Sequence, residues 1–93
     1  MIISSVAYIY ADEDPFKELS EKVAEFHQKH KHSKAINMAE QVLMLAEEKF
    51  GKEHFFVTKA LNTLAILYHE QGEYVKAEAH YRKLLNIKMK HFV

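Results

Sequence analysis

A chain of 93 residues makes one domain at most, with a core that this length only just fills. Its 13 Lys and Arg balance its 13 Asp and Glu, so it lacks the basic excess of a nucleic-acid binder and has little net charge to keep copies apart. The absence of cysteine removes disulfides, zinc–thiolate sites and thiol nucleophiles, and two glycines and one proline are too few for a turn-rich β protein.

Residues 1–13 read as an N-terminal arm. The first eleven, MIISSVAYIYA, are apolar but carry no Lys or Arg. As written they make a poor secretory signal, and a cytoplasmic location is expected. The alternative is an exported protein, with Ile9-Tyr10-Ala11 as the end of a clipped signal. As an arm, the segment would pack its tyrosines on the domain or join a dimer contact. No stretch reaches the roughly 18 apolar residues of a membrane span.

Asp12-Glu13-Asp14-Pro15 has the chemistry of a helix start: Asp14 as cap, Pro15 at the first helical position, and acids at the positive end of the helix dipole. Phe16, Leu19, Val23 and Phe26 follow at spacings of three and four, the stripe of an amphipathic helix. This helix fades into FHQKHKHSK, which holds His27, His30 and His32. Ser33 is the expected cap of a second helix, carrying Ala35, Ile36, Met38, Ala39, Val42, Leu43, Leu45 and Ala46, and Gly51 stands where it stops. A third helix runs from about Phe55 through Val57, Leu61, Leu64, Ala65 and Tyr68 to Gly72. A fourth carries Tyr74, Ala77, Tyr81, Leu84, Leu85 and Ile87. Short links make neighbours antiparallel, which predicts an all-α domain of two stacked helix-turn-helix hairpins over residues 14–93.

The two hairpins repeat each other. At an offset of about 42 positions, Leu61 falls on Leu19, Tyr68 on Phe26, His69 on His27, Ala77 on Ala35 and Leu85 on Leu43. Lys59 falls on Lys17 and Lys76 on Lys34. The units are 14–51, a degenerate first repeat, and 52–93.

The second unit resembles a tetratricopeptide repeat. LNTLAILYHEQGEYVKAEAHYRKLL places Leu61, Leu64, Ala65, Tyr68, Gly72, Tyr74, Ala77, Tyr81 and Leu85 at that family's spacing. The longer stretch from Glu47, with its Gly51-Lys52-Glu53-His54 link and Leu61-Asn62-Thr63-Leu64-Ala65 core, is similar to the repeats of kinesin light chain and its bacterial relatives. Against that pattern Phe55 replaces a usual proline, Thr63 a second asparagine, and Leu84 a usual alanine. In the first unit Lys22 stands at the position of Leu64 and His30 at that of the turn glycine.

The resemblance implies a fragment of an α-solenoid in which the first helix of each hairpin lines a concave groove for a peptide segment of another protein. Carried over position by position, the groove would take Lys17, Ser20, Glu21, Ala24, His27 and Gln28 from the first unit, and Lys59, Asn62, Thr63, Ile66, His69 and Glu70 from the second. Asn62 would hydrogen-bond a peptide backbone, since an amide both donates and accepts. Lys17 and Lys59 would meet a carboxylate. The resemblance also implies Tyr68, Tyr74 and Tyr81 as fillers between hairpins.

Two repeats leave an end uncovered. Leu84, Ile87, Met89 and Phe92 are expected on an open apolar surface of the fourth helix, which makes a homo-oligomer the expected state, the alternative being a piece of a longer repeat array. No phosphate loop, nucleophile elbow or HExxH helix is present, and the carboxylates sit in helix-face patterns, so no enzyme and no cofactor are expected. The alternative function is a histidine-based metal-binding or pH-responsive helical protein, in which imidazoles would suit zinc, copper or nickel. Lys29, Lys31 and Lys34 would repel such a cation. If a histidine senses pH or a partner, His27 with His69 is the expected pair.

Overall fold

In a computed structural model that describes residues 15–92, the chain forms four helices: α1 (Lys17–Gln28), α2 (His32–Phe50), α3 (Phe55–Glu70) and α4 (Tyr74–Phe92). Each packs against the next in the chain, while α1 and α3 approach each other through side chains alone. The described residues contain no strand, and the all-α architecture of two helical hairpins stands as expected. The arm at 1–13, the Asp14 cap and the side chain of Phe92 lie outside the described residues.

One hydrogen-bond pattern turns both hairpins. At the end of α3, Gly72 N–H donates to the His69 carbonyl and Glu73 N–H to the Tyr68 carbonyl, both at 2.9 Å, around Gly72 at φ +79°. At the end of α1, His30 N–H donates to the His27 carbonyl at 3.1 Å and Lys31 N–H to the Phe26 carbonyl at 2.8 Å, with His30 at φ +59°. This pairing answers the orphan carbonyls of a helix end and needs a left-handed residue, which glycine supplies without a Cβ penalty. His30 therefore keeps the role of Gly72 under strain. The likeness extends to side chains, because the Lys34 ammonium lies over the Phe26 ring as Lys76 lies over Tyr68.

The helix starts differ from their expected caps. Pro15 and Phe16 form a turn before α1 instead of its first helical positions, with the Phe16 carbonyl accepting from Ser20 N–H. Ser33 falls inside α2, which begins at His32 after Lys31, because the preceding turn is already closed by backbone bonds. His54 caps α3, its Nδ1 accepting from Phe56 N–H at 3.1 Å while its ring stacks on Phe50.

The core is aliphatic and centres on α3. Val57, Leu61 and Leu64 are its largest fully buried side chains, joined by Ala35, Ala39, Val42, Leu43 and Ala46 of α2. α4 contributes Ala77 and Leu84. Leu84, expected on the open surface, is thus a core residue: it lies seven positions after Ala77 on the same helix face. Ile87 is half-buried against the same core, whereas Met89 is exposed. Tyr68 is buried as expected, but Tyr74 is 61% and Tyr81 40% exposed. The Tyr68 hydroxyl donates to Glu40 of α2, and burial together with that carboxylate pushes its pKa up.

The strain at His30 and its absence at Gly72 are separable by mutation. A left-handed non-glycine residue costs roughly 1–2 kcal/mol, and glycine returns part of that through its freer unfolded chain. His30→Gly is expected to stabilise by about 0.5 kcal/mol, raising Tm by a few degrees. Gly72→Ala, whose new Cβ would meet nothing within 4 Å, is expected to destabilise by about 1 kcal/mol through the backbone alone. Urea melts of both variants check the pair, and an unchanged or lowered midpoint for His30→Gly contradicts the strain.

Candidate functional site

The gap between α1 and α3 is a groove floored by α2. Its cavity measures about 300 Å³ and takes side chains from both hairpins: Phe16, Ser20, Val23, Ala24 and His27 from α1 and the turn before it, Ala39 and Val42 from α2, and Phe56, Lys59, Ala60, Thr63, Ile66 and Leu67 from α3. Helical spacing brings them together. Ser20, Val23, Ala24 and His27 recur at three and four along α1, as Phe56, Lys59, Ala60, Thr63, Ile66 and Leu67 do along α3. The floor residues are small or β-branched, which leaves room above α2.

Side-chain contacts across the gap close both ends. At one end Phe16 meets Phe56 edge to face with ring centroids 5.9 Å apart, in a cluster with Phe50 and His54. At the other end His27 Nε2 lies 2.7 Å and 3.0 Å from the two carboxylate oxygens of Glu70. The distance along α1 from Phe16 to His27 is about 16 Å at 1.5 Å per residue, the length of roughly five extended residues. Aromatic carbon walls one end and a polar bridge the other.

Of the expected groove residues, Ser20, Ala24, His27, Lys59, Thr63 and Ile66 line this cavity. Asn62 instead lines a second, more open depression with Glu53, Phe55, Thr58, Lys59, Ile87, Lys88 and His91. Lys17, Glu21 and Gln28 are exposed on α1 and line neither. Glu70 is engaged by His27. His69 packs edge to face on Tyr74 with centroids 5.0 Å apart, so His27 has Glu70 and not His69 for its partner.

Thr63 Oγ1 donates back to the Lys59 carbonyl at 3.0 Å, which spends its hydroxyl proton within α3 and turns the methyl into the more available surface. The Lys59 ammonium lies 5.8 Å and 5.9 Å from the centroids of Phe55 and Phe56, a cation held over aromatic faces at the rim. Beside the second depression Lys90 and His91 of α4 both reach Glu53, at 2.9 Å and 3.3 Å, and the hydrogen bond and charge of Lys90 lower the Glu53 pKa.

The apolar floor was outside the sequence expectation. Ala39 and Val42 read as apolar positions of the second helix and Phe16 as part of the stripe of the first, while Phe56, Ala60 and Leu67 carried no expectation; only the facing of α1 and α3 makes them a lining. The spacing of Lys59, Thr63 and Ile66 with Phe56 and Ala60 was the signal at hand.

The histidines of FHQKHKHSK do not converge. The His32 ring lies 6.3 Å from that of His27 and 6.0 Å from that of His30, and His32 Nδ1 is buried without a hydrogen bond. Among the described residues no three histidine or carboxylate groups are placed to hold a metal ion. No described helix is long and apolar enough to cross a membrane.

The His27–Glu70 bridge is two-fifths exposed on both sides, so its worth is that of a surface pair. A double-mutant cycle on His27→Ala and Glu70→Ala, read by urea denaturation, is expected to give a coupling of about 0.2–1 kcal/mol that shrinks with added salt. A coupling of zero at low salt would remove this bridge as a tie between the hairpins.

Neither the search of curated proteins nor the search of solved structures returned a match. The family comparison did: a family model described as tetratricopeptide repeat matches residues 19–90, most of the chain and all but the ends of the four helices. With paired hairpins turned by equivalent left-handed residues and a groove between their first helices, this protein belongs to the tetratricopeptide repeat family.

Proposed function

We propose that the protein is a non-catalytic peptide-binding module whose ligand is a short extended segment of another protein, held in the groove between α1 and α3. The cavity carries this reading: it is walled largely by carbon, open to solvent along its length and closed at both ends. Sites of this kind bury apolar side chains and use a few polar groups for orientation. Phe16, Val23, Phe56, Ile66 and Leu67 supply the apolar surface, and an aromatic or branched aliphatic side chain of the ligand fits the 300 Å³ space. Ser20 and Lys59 line the rim and supply its polar contacts, Lys59 to a ligand carboxylate in this reading. Asn62 and Lys17 serve segments that extend beyond the cavity.

The Gly51-Lys52-Glu53-His54 link and the offset of about 42 positions between units 14–51 and 52–93 support a place among the longer, kinesin-light-chain-like repeats. His54 gives that link a mechanical task, capping α3 where serine or aspartate would usually serve.

Selection of a random peptide library on the purified protein tests the reading. Enrichment of sequences with one or two large apolar residues in a window of about five is expected. Ile66→Glu and Ala24→Glu, both exposed positions in the groove, are expected to weaken a selected peptide by tenfold or more, about 1.4 kcal/mol. Met44→Glu, exposed and outside the cavity, is expected to leave binding unchanged. No enrichment over an unloaded support, or equal loss in all three variants, sinks the proposal.

A further inference from the structure

Among the described residues, His27, His80 and His91 turn ring nitrogens toward oxygen acceptors, and His54 alone turns one toward a donor. His27 Nε2 faces Glu70, His91 Nε2 faces Glu53 at 3.3 Å, and His80 lies between the Lys76 carbonyl at 2.7 Å and Glu40 at 3.6 Å. Each of these contacts survives protonation of the ring, and the carboxylate then strengthens it. At His54 the partner is the Phe56 backbone N–H, which can only donate. Nδ1 must therefore keep its lone pair, and the ring its neutral form with the proton on Nε2.

That demand sits at the start of α3. The His54 carbonyl takes up the Val57 and Thr58 N–H groups at 2.9 Å and 3.2 Å, while Phe56 N–H turns to the His54 ring. A proton on Nδ1 removes this bond and leaves a first-turn N–H without its acceptor. It also adds positive charge at the positive end of the helix dipole. The ring is half-buried, stacked on Phe50 with centroids 4.6 Å apart and tilted against Phe56 at 5.1 Å. Little around it compensates a charge. From α2 come Glu47, Glu48 and Lys49, whose ammonium lies over Phe50, and from α1 Lys17 beside Phe16. The link carries Lys52 and Glu53, and α3 carries Lys59 over Phe56. No carboxylate pairs with His54 among the described residues, and Glu53 is engaged by Lys90 and His91 of α4. An imidazolium would gain some attraction from the Phe50 face, but Lys49 already draws on that ring.

We infer that His54 is a proton-operated catch at the aromatic end of the groove, closed while its ring is neutral and released when acid protonates it. Because the bond needs the neutral ring, its contribution to stability is present at higher pH and lost as pH falls through the range in which an imidazole titrates. His27, His80 and His91 act with the opposite sign, since folding gives their protonated rings a carboxylate. Release frees the first turn of α3 and with it Phe56, whose ring meets Phe16 across the groove. A weaker apolar grip on a ligand in acid is the consequence that rests on the peptide reading; the catch itself does not.

Measured without a ligand, the catch stands or falls separately from that reading. His54→Asn keeps a side chain that caps a helix and does not titrate. Urea melts of parent and variant, compared in steps from about pH 8 to about pH 5, cancel the other histidines, which the two chains share. The folding constant of the parent is expected to fall roughly fivefold or more relative to the variant over that range, the size of a lost cap. In the parent, nitrogen NMR is expected to show His54 Nδ1 without a proton at the upper end of the range, and the Phe56 amide signal to titrate together with the ring. A stability difference that stays flat or moves the other way overturns the inference, as does an Nδ1 that carries the proton in the neutral ring. Should His54→Asn fail to fold, the nitrogen spectrum and the Phe56 titration of the parent decide alone.

Discussion

The burial of α3 against both α2 and α4 is the constraint from which the rest of the structure follows. Val57, Leu61 and Leu64 are almost fully removed from water, and loss of one such leucine to alanine typically costs about 2–5 kcal/mol. A small domain has only about 5–15 kcal/mol in total, so this helix accounts for a large share of what holds the chain together. Its placement also creates the site. With α3 seated on α2, its other flank faces α1 across a gap that no backbone contact closes, and the groove is the space left between two helices that share a floor. Its ends are then sealed by residues that the same seating brings within reach, Phe16 with Phe56 and His27 with Glu70.

The turn geometry explains why both hairpins have the same form despite different sequences. Only the backbone bonds at the ends of α1 and α3, and one left-handed residue in each, are needed to send the next helix back antiparallel. Gly72 meets that need without strain and His30 meets it with strain, so the first hairpin keeps the shape while losing the signature residue. Lys22 and Glu25 show the same tolerance on the outer face of α1, where no described element demands a small or apolar side chain.

Helices and repeat were legible in the sequence because periodic apolar positions and matching turns are local signals. Leu61, Leu64 and Ala65 announced α3, Gly51 and Gly72 announced helix ends, and His30 and Gly72 both take a left-handed φ. What escaped was non-local or locally ambiguous. Leu84 and Leu85 are adjacent and both apolar, so which of them faces the core depends on the crossing of α4 over α3; the helix turns Leu84 inward and leaves Leu85 at 57% exposure. The His27–Glu70 bridge joins residues 43 positions apart, a contact that no local pattern announces. His54 was read as part of a family link, yet its ring is a helix cap and a stacking partner at once. The groove floor was hidden for a different reason: small and β-branched residues such as Ala39 and Val42 are chosen by packing and site alike.

The two ends of the stack are chemically unequal, and this asymmetry bears on how the groove would work. The outer face of α1 is charged, whereas the apolar outer face of α4 lies on the one helix that contributes nothing to the main groove lining. A peptide held in the groove as proposed would bury only about five extended residues, so the cost of ordering it would offset much of the apolar gain, and the Phe16 and Phe56 end, where carbon is densest, would have to carry most of the affinity.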